Sequence, residues 1–262
     1  MTAASLTSAD YERALSAVGL GDVAVFHRET TGSTNDDARA LAAEALSPKV
    51  ALVVAEEQTR GRGRGANVWL SPRGSISFTL TLPDIDAARL GVLPLGVGAS
   101  VVGALRRLGA AATVKWPNDV LIDDRKVCGI LCESSVLKGT ARAFLGIGIN
   151  VESASLDREA APEAGALDAS GLEVDRPALV ADITARVLRL LREASDRSIV
   201  EDWKAVSVPW WGEVVSIIEG EVETRLTLLD VSPDGQLVVR DEAGAIRSLV
   251  SGQIRRLRVA GA

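Results

Sequence analysis

The chain has 262 residues, 47% of them apolar, which is enough for one large domain with a small appendage around a buried core. A formal charge of -6 argues against a nucleic-acid binder with a wholly basic surface, though it leaves room for a local basic patch. No apolar run is long enough to span a bilayer, and Met1 to Asp10 has neither a basic start nor an apolar stretch, so a cytoplasmic protein is expected, neither membrane-inserted nor secreted.

The pattern predicts a short amphipathic helix from Ser8 to Val18, with Leu15 and Val18 on its apolar side, and then a strand, Val23 to Phe26. His27 has no neighbours resembling a catalytic triad and reads as structural. Thr30 to Asp37 is a polar turn before a helix from Ala38 to Leu46 that Pro48 ends. Ser33 with Asp36, or Thr34 with Asp37, has capping-box spacing, and the same hydroxyls could instead hold a polar ligand at the helix start. A buried-type strand, Ala51 to Ala55, leads into Glu57 to Trp69, where Arg60, Arg62 and Arg64 alternate with Gly61, Gly63 and Gly65. Cations and bare backbone N–H groups offered together suit a phosphate.

Ser75 to Leu82 alternates, placing Ile76, Phe78, Leu80 and Leu82 on one face. Residues 89 to 108 predict an apolar helix kinked or broken at Pro94. Residues 114 to 133 read as a hairpin, with Pro117 forcing the chain extended and Lys126 at the start of the second arm. Cys128 and Cys132 share one face of that arm and read as core thiols, not as a disulfide or a zinc site. Ala143 to Val151 is a further strand, whose Gly146 and Gly148 permit close approach to its backbone. It lacks dinucleotide-fingerprint spacing, so a Rossmann site is rejected. Residues 152 to 172 suggest a mobile loop that serves as a lid. Asp175 caps a strong helix, and 199 to 206 continues helically. Beyond the boundary at Val208 to Gly212, five short strands predict a small barrel, dividing the chain into 1–210 and 211–262.

Taken singly these segments name no substrate. The Arg/Gly loop resembles RNA-binding Arg-Gly segments only in composition, since those are long and repetitive, and a small-molecule phosphate site suits a short loop between strands better. Lys115 and Lys126 are either exposed strand-end charges or, clustered with Asn118 and Asp119, part of a site. No P-loop, Gly-x-Ser-x-Gly elbow or metal-binding His pair is present.

Together, Thr31 to Asn35, Gln58 to Arg64 with Trp69 to Pro72, Lys115 to Asp119, Asp124 to Leu131 and Gly146 to Asn150 resemble, in order and spacing, the motifs of biotin protein ligases. The resemblance implies an α+β fold, with a mixed or antiparallel sheet and packed helices of the class II synthetase-like kind, and a small SH3-like barrel at the carboxy terminus. It implies that ATP and biotin are substrates, with Mg²⁺ on the phosphates, and that biotinyl-5'-AMP forms before biotin passes to a lysine of a biotin carboxyl carrier domain. Biotin-binding positions would be Ser33, Thr34, Asn35, Gln58, Gly61, Arg62, Gly63, Arg64, Lys126 and Gly129. Adenylate-binding positions would be Arg62, Arg64, Trp69, Lys115, Asn118, Lys126 and Asn150. The residues that would hold the metal are left open.

Attack of a carboxylate on a polyphosphate needs cations at the α-phosphate, a task for Arg62, Lys115 and Lys126, while Asp119 is the candidate to orient or deprotonate the acceptor amine. Gly61 to Val68 is then expected to move as a lid. Where many relatives carry Arg or Lys, this chain has Gly65-Ala66-Asn67-Val68. The catalytic region begins within the first 25 residues, so neither a helix-turn-helix repressor domain nor DNA binding is expected, and the protein is expected to be a monomer or weak homodimer. The rivals are a lipoate or octanoyl ligase and a nucleic-acid-binding module.

Overall fold

Alternation along the strands decides which face of the main sheet carries helices and which carries polar groups. In the computed structural model, which describes residues 6–43, 50–219, 221–250 and 252–256, seven strands form this sheet. They are β1 (Ala24–Arg28), β2 (Ala51–Ala55), β3 (Ile76–Asp86), β4 (Thr113–Lys115), β5 (Asp119–Ile122), β6 (Arg125–Leu137) and β7 (Thr140–Ile149), in the order β1-β2-β3-β7-β6-β5-β4. Only β1 and β2 pair in parallel, because the helix α2 (Thr34–Ala42) crosses between them; every other pairing is antiparallel. Leu52, Val54, Ile76, Phe78, Leu80, Leu145 and Ile147 join the large core with α1 (Ser8–Ala17), α3 (Leu93–Arg107), α4 (Arg176–Glu193) and α5 (Asp196–Val206). Residues of the opposite parity, Val53, Thr79, Phe144 and Gly146, meet α2 on the other face. That face is small and polar near the sheet centre, which leaves room for a recess.

Several elements differ from the sequence reading. α2 begins at Thr34, not Ala38, so the supposed turn residues form its first helical turn. Ser33 is its N-cap residue without a side-chain capping bond, and the Asp37 carboxylate instead accepts from the Thr31 hydroxyl at 2.8 Å, so no capping box forms. The predicted end of this helix, through Leu46 and Pro48, lies outside the described residues. The expected break at Pro94 is present: a 3₁₀ turn over Ala87–Gly91 ends before α3 begins at Leu93, and Pro94 sits in the first turn of α3, where a missing N–H costs nothing. Val18 is 41% exposed, leaving Tyr11 and Leu15 as the buried contacts of α1. The predicted hairpin is a three-strand meander: a turn with a cis Trp116–Pro117 peptide joins β4 to β5, and Asp123 and Asp124, both at positive φ, turn β5 into β6.

Residues 152 to 172 form a strap, not the expected lid. Lys126 N–H donates to the Glu163 carbonyl at 3.0 Å, Gly165 N–H to the Lys126 carbonyl at 2.9 Å, and Leu167 N–H to the Asn150 carbonyl at 3.1 Å, while Ala166 and Leu167 are buried.

The second sheet holds β8 (Val214–Glu219), β9 (Val222–Val231), β10 (Leu237–Arg240), β11 (Ile246–Leu249) and β12 (Gln253–Arg256), in the antiparallel order β11-β10-β9-β8-β12. The last residues of the predicted fifth strand, 257 to 259, are outside the described region. Trp116 ties the two sheets together, its indole N–H donating to the Gly235 carbonyl at 3.0 Å.

Candidate active site

A cavity of about 260 Å³ opens on the α2 face of the main sheet, walled by segments far apart in sequence. Ser33, Thr34 and Asn35 come from the first turn of α2, Gln58 and Arg62 to Trp69 from the Gly/Arg loop, and Lys115 to Asp119, Lys126, Gly129 and Gly146 to Gly148 from the strands. Gly252 and Ile254 of the second sheet complete the rim.

One end is a recess of neutral polar groups. Ser33, Thr34 and Asn35 are all at least 96% buried, being 4%, 3% and 3% exposed. Gln58 Oε1 accepts from the Thr34 N–H at 2.9 Å and from its hydroxyl at 3.2 Å. Thr79 Oγ1 stands 2.6 Å from Asn35 Oδ1 and 2.9 Å from Thr34 Oγ1, and its single proton serves one of them at a time. Asn35 donates through Nδ2 to Glu133 Oε2 at 2.7 Å. The glycines of β7 make this packing possible: a Cβ on Gly146 would lie 2.5 Å from Asn35 Oδ1, and one on Gly148 would lie 2.3 Å from Trp69 Nε1.

The other end is ionic. Asp119 accepts from both Lys126 (2.6 Å, on Oδ1) and Lys115 (3.2 Å, on Oδ2). Burial works to raise the Asp119 pKa, but the Lys126 and Lys115 ammonium groups outweigh it and hold the carboxyl below its usual range. β4 and β5 set this array, since Lys115 and Asp119 are cross-strand partners. Lys126 reaches in from β6, its ammonium also 5.5 Å from the centre of the Trp69 ring. The Trp69 indole N–H is buried against Gly148 without a hydrogen-bond partner among the described residues.

The sequence-predicted residues divide by placement. Ser33, Thr34, Asn35, Gln58, Arg62, Gly63, Arg64, Trp69, Lys115, Asn118, Asp119, Lys126 and Gly129 all line the cavity. Gly61 and Asn150 do not. Gly61 sits behind the loop against the Trp69 carbonyl, and Asn150 spends its amide on the Gly165 carbonyl at 3.0 Å, holding the strap. Asn118 touches the cavity but donates to the Ile130 carbonyl at 2.8 Å. Arg62 turns away from the ionic end: Nη1 is 2.8 Å from Asp36 and Nη2 is 3.0 Å from Glu133. Arg64 is half-buried, and its guanidinium has no ion-pair partner among the described residues; burial lowers its pKa, against a smaller opposing pull from Asp119. The Gly/Arg segment is itself a small hairpin, with Gly63 N–H donating to the Asn67 carbonyl at 2.8 Å and Trp69 N–H to the Gly61 carbonyl at 3.0 Å.

Sequence reasoning missed Thr79, Glu133 and Asp36. Parity could have found two of them, because Thr79 and Glu133 fall on the same sheet face as Gly146 and Gly129. His27 bonds Glu56 at 3.1 Å, and Arg176 donates to the same carboxylate at 3.0 Å, a buried clamp between β1, β2 and α4 outside the cavity. Cys128 and Cys132 are free thiols whose pKa values burial pushes up, that of Cys132 to about 12.

The sequence pattern of the Biotin/lipoate A/B protein ligase family matches residues 28–150. The chain is 32% identical to the biotin–[acetyl-CoA-carboxylase] ligase of Paracoccus denitrificans over 226 residues, covering 82% of this chain and 93% of that one. It is 37% identical over 166 residues to the bifunctional ligase/repressor BirA of Bacillus spizizenii, covering 61% of this chain and spanning only about half (51%) of that relative's length. Among solved structures, the Aquifex aeolicus biotin protein ligase in complex with biotin and ATP superposes with a TM-score of 0.76 at 29% identity, over 89% of this chain and 99% of that one. The chain belongs to the biotin protein ligase family.

Proposed function

We propose that this chain activates biotin with ATP and transfers the acyl group to a lysine of a biotin carboxyl carrier domain. A biotin carboxylate oxygen attacks the α-phosphorus, pyrophosphate leaves, and biotinyl-5'-AMP forms. The acceptor amine then attacks the acyl carbon, losing a proton as AMP departs.

The observation that carries this reading is the pairing of two chemically distinct ends in one cavity. Biotin has a neutral ureido ring, able both to donate and to accept, at one end, and a carboxylate at the other. The Ser33, Thr34, Asn35 and Gln58 recess suits the ring, and Lys115 and Lys126 suit the carboxylate and phosphates. A dithiolane or alkyl chain offers that recess no hydrogen-bonding group, which costs roughly 1–3 kcal/mol for each polar group the ureido ring would have met. That disfavours lipoate and octanoate. The relatives named for biotin support the same choice.

Lys126 and Lys115 would neutralise the charge that builds at the α-phosphate, with Arg64 the further cation available without breaking an ion pair. Asp119, held as a carboxylate between two ammonium groups, is a poor base, and its role is to orient the lysines and the incoming amine. Trp69 offers a ring face to the nucleotide. Arg62 holds the loop down, so its contribution is to shield the mixed anhydride from water. Mg²⁺ would travel on the nucleotide: among the described residues no cluster of three metal-ligating side chains exists, and the one carboxylate lining the cavity is taken by lysines. It would supply charge neutralisation of the phosphates. The division into a catalytic unit over 1–210 and an appendage over 211–262 belongs to this reading, with Gly252 and Ile254 placing the appendage at the rim.

The test is to incubate the protein with ATP, an apo carrier domain and, separately, biotin, lipoate or octanoate. Mass spectrometry should show the carrier modified by biotin alone. Lipoyl or octanoyl transfer would favour the other branch of the family, and no transfer at all would contradict the proposal.

A further inference from the structure

Glu133 lies outside the motifs that mark the site, yet three donors converge on one of its oxygens, two of them, Asn35 and Arg62, from residues that line the cavity. Oε2 accepts from Asn35 Nδ2 at 2.7 Å, from Arg62 Nη2 at 3.0 Å and from Arg39 Nη2 at 3.0 Å. The side chain is 25% exposed at the end of the recess, on the sheet face that carries Gly129 and Leu131. Burial works to raise its pKa, but the Asn35 and Arg39 hydrogen bonds and the two guanidinium charges together bring it below the usual range, so the group is a carboxylate at neutral pH.

Two consequences follow from that single oxygen. An ionised carboxylate only accepts, so it holds the NH₂ of Asn35 toward itself and leaves Oδ1 toward the Thr79 hydroxyl at 2.6 Å. A flipped amide would set two acceptors against each other. The same oxygen ties Arg62, and with it the Gly/Arg hairpin, to the sheet. Asp36 is the second anchor of Arg62, at 2.8 Å; it follows Asn35 in α2, but no hydrogen bond joins its carboxylate to the Asn35 side-chain amide among the described residues. Of the two anchors, Glu133 is the one that bonds both Arg62 and the Asn35 side-chain amide.

We propose that Glu133 is a positioning residue that couples the two, fixing the Asn35 amide for the substrate ring while anchoring the loop that covers it. The substrate half of this inference rests on the biotin reading; the loop half does not. Losing the charge should free the amide to flip and leave the loop on one anchor, whereas losing Asp36 should affect the loop alone.

The experiment compares Glu133→Gln with Asp36→Asn in the full chain, by two readouts. The first is steady-state adenylate formation with biotin varied: E133Q should raise the biotin KM roughly tenfold, the scale of one partly buried charged hydrogen bond, with kcat changed by less than about twofold, and D36N should leave KM as in the wild type. The second is trypsin cleavage after Arg60, Arg62 or Arg64 without substrate, which should quicken several-fold in both variants. Unchanged KM and unchanged cleavage in E133Q, or identical KM effects in E133Q and D36N, would overturn the coupling. A loss of kcat and KM together that tracks a fall in Tm would overturn it too, since that is what a merely structural residue gives. Should E133Q fail to fold, Glu133→Asp, which keeps the charge one methylene farther back, carries the test with smaller shifts in both readouts. If the wild type forms no biotinyl-AMP, the biotin reading fails, and the trypsin readout alone decides whether Glu133 anchors the loop.

Discussion

In and beside the cavity stand two arrangements of opposite charges that differ in how firmly the fold keeps them. Lys115, Asp119 and Lys126 stand on three neighbouring strands, with Lys115 and Asp119 only 10% and 12% exposed as side chains. Arg62 meets Asp36 and Glu133 from a loop, with the Arg62 side chain 41% and that of Asp36 49% exposed. Exposed pairs of the second kind contribute up to about 1 kcal/mol each and are screened by salt, so they hold a loop and also let it go. Charges fixed on strands cost little reorganisation as a reaction proceeds, which is what electrostatic catalysis requires. The comparison assigns chemistry to the strand array and containment to the loop.

Lys126→Ala should break the comparison hardest. Pyrophosphate release with biotin and ATP is expected to fall about 10²- to 10³-fold at temperatures where the variant is fully folded, with Tm also lowered because Asp119 loses its nearer ammonium partner, and a near wild-type rate would remove the array from the chemistry.

Asp119→Asn comes next, with its larger loss expected in transfer from preformed biotinyl-AMP to the carrier, measured apart from adenylate formation. Its stability effect has a defined sign. The folded-state pKa of Asp119 is depressed, so its contribution is complete above the unfolded value, about 4, and is lost as pH falls below that, through the folded value. The Tm gap between wild type and D119N should hold at neutral pH and close in acid; a gap that widened in acid would contradict the ion-pair assignment.

Gly148→Ala is a sharper, smaller probe. The added Cβ would lie 2.3 Å from the Trp69 indole, so the ring must shift, and ATP should bind on the order of tenfold more weakly at a stability cost of about 1–3 kcal/mol. Unchanged ATP affinity by calorimetry would remove Trp69 from the nucleotide site. The smallest effect is expected at Cys132: with its thiol pushed up to about 12, iodoacetamide at pH 8 should leave it unmodified over the time that labels a free thiol.

The strands were legible because apolar alternation is a strong signal. Ile76, Phe78, Leu80 and Leu82 are all buried in the main core, as their spacing indicated. Elements whose residues serve the cavity were harder to read. Thr34 to Asp37 look like a turn because a helical turn facing a polar recess carries polar side chains, so α2 starts earlier than its apolar pattern does. Residues 152 to 172 lack periodicity because a strap bonded through its backbone to Lys126 and Asn150 needs none. The motifs located the array at Lys115, Asp119 and Lys126 but not the partners of Arg62, since ion pairing between a loop and two separate elements leaves no spacing to read.

The most direct test of the division between chemistry and containment is a rapid-quench measurement of enzyme-bound and free biotinyl-AMP in wild type, Lys126→Ala and Arg62→Ala. Lys126→Ala should form almost no adenylate, whereas Arg62→Ala should form it at a rate within about tenfold of wild type but release or hydrolyse it faster. Arg62→Ala failing to form adenylate as completely as Lys126→Ala would contradict the account, because it would place Arg62 in the chemistry with the lysines.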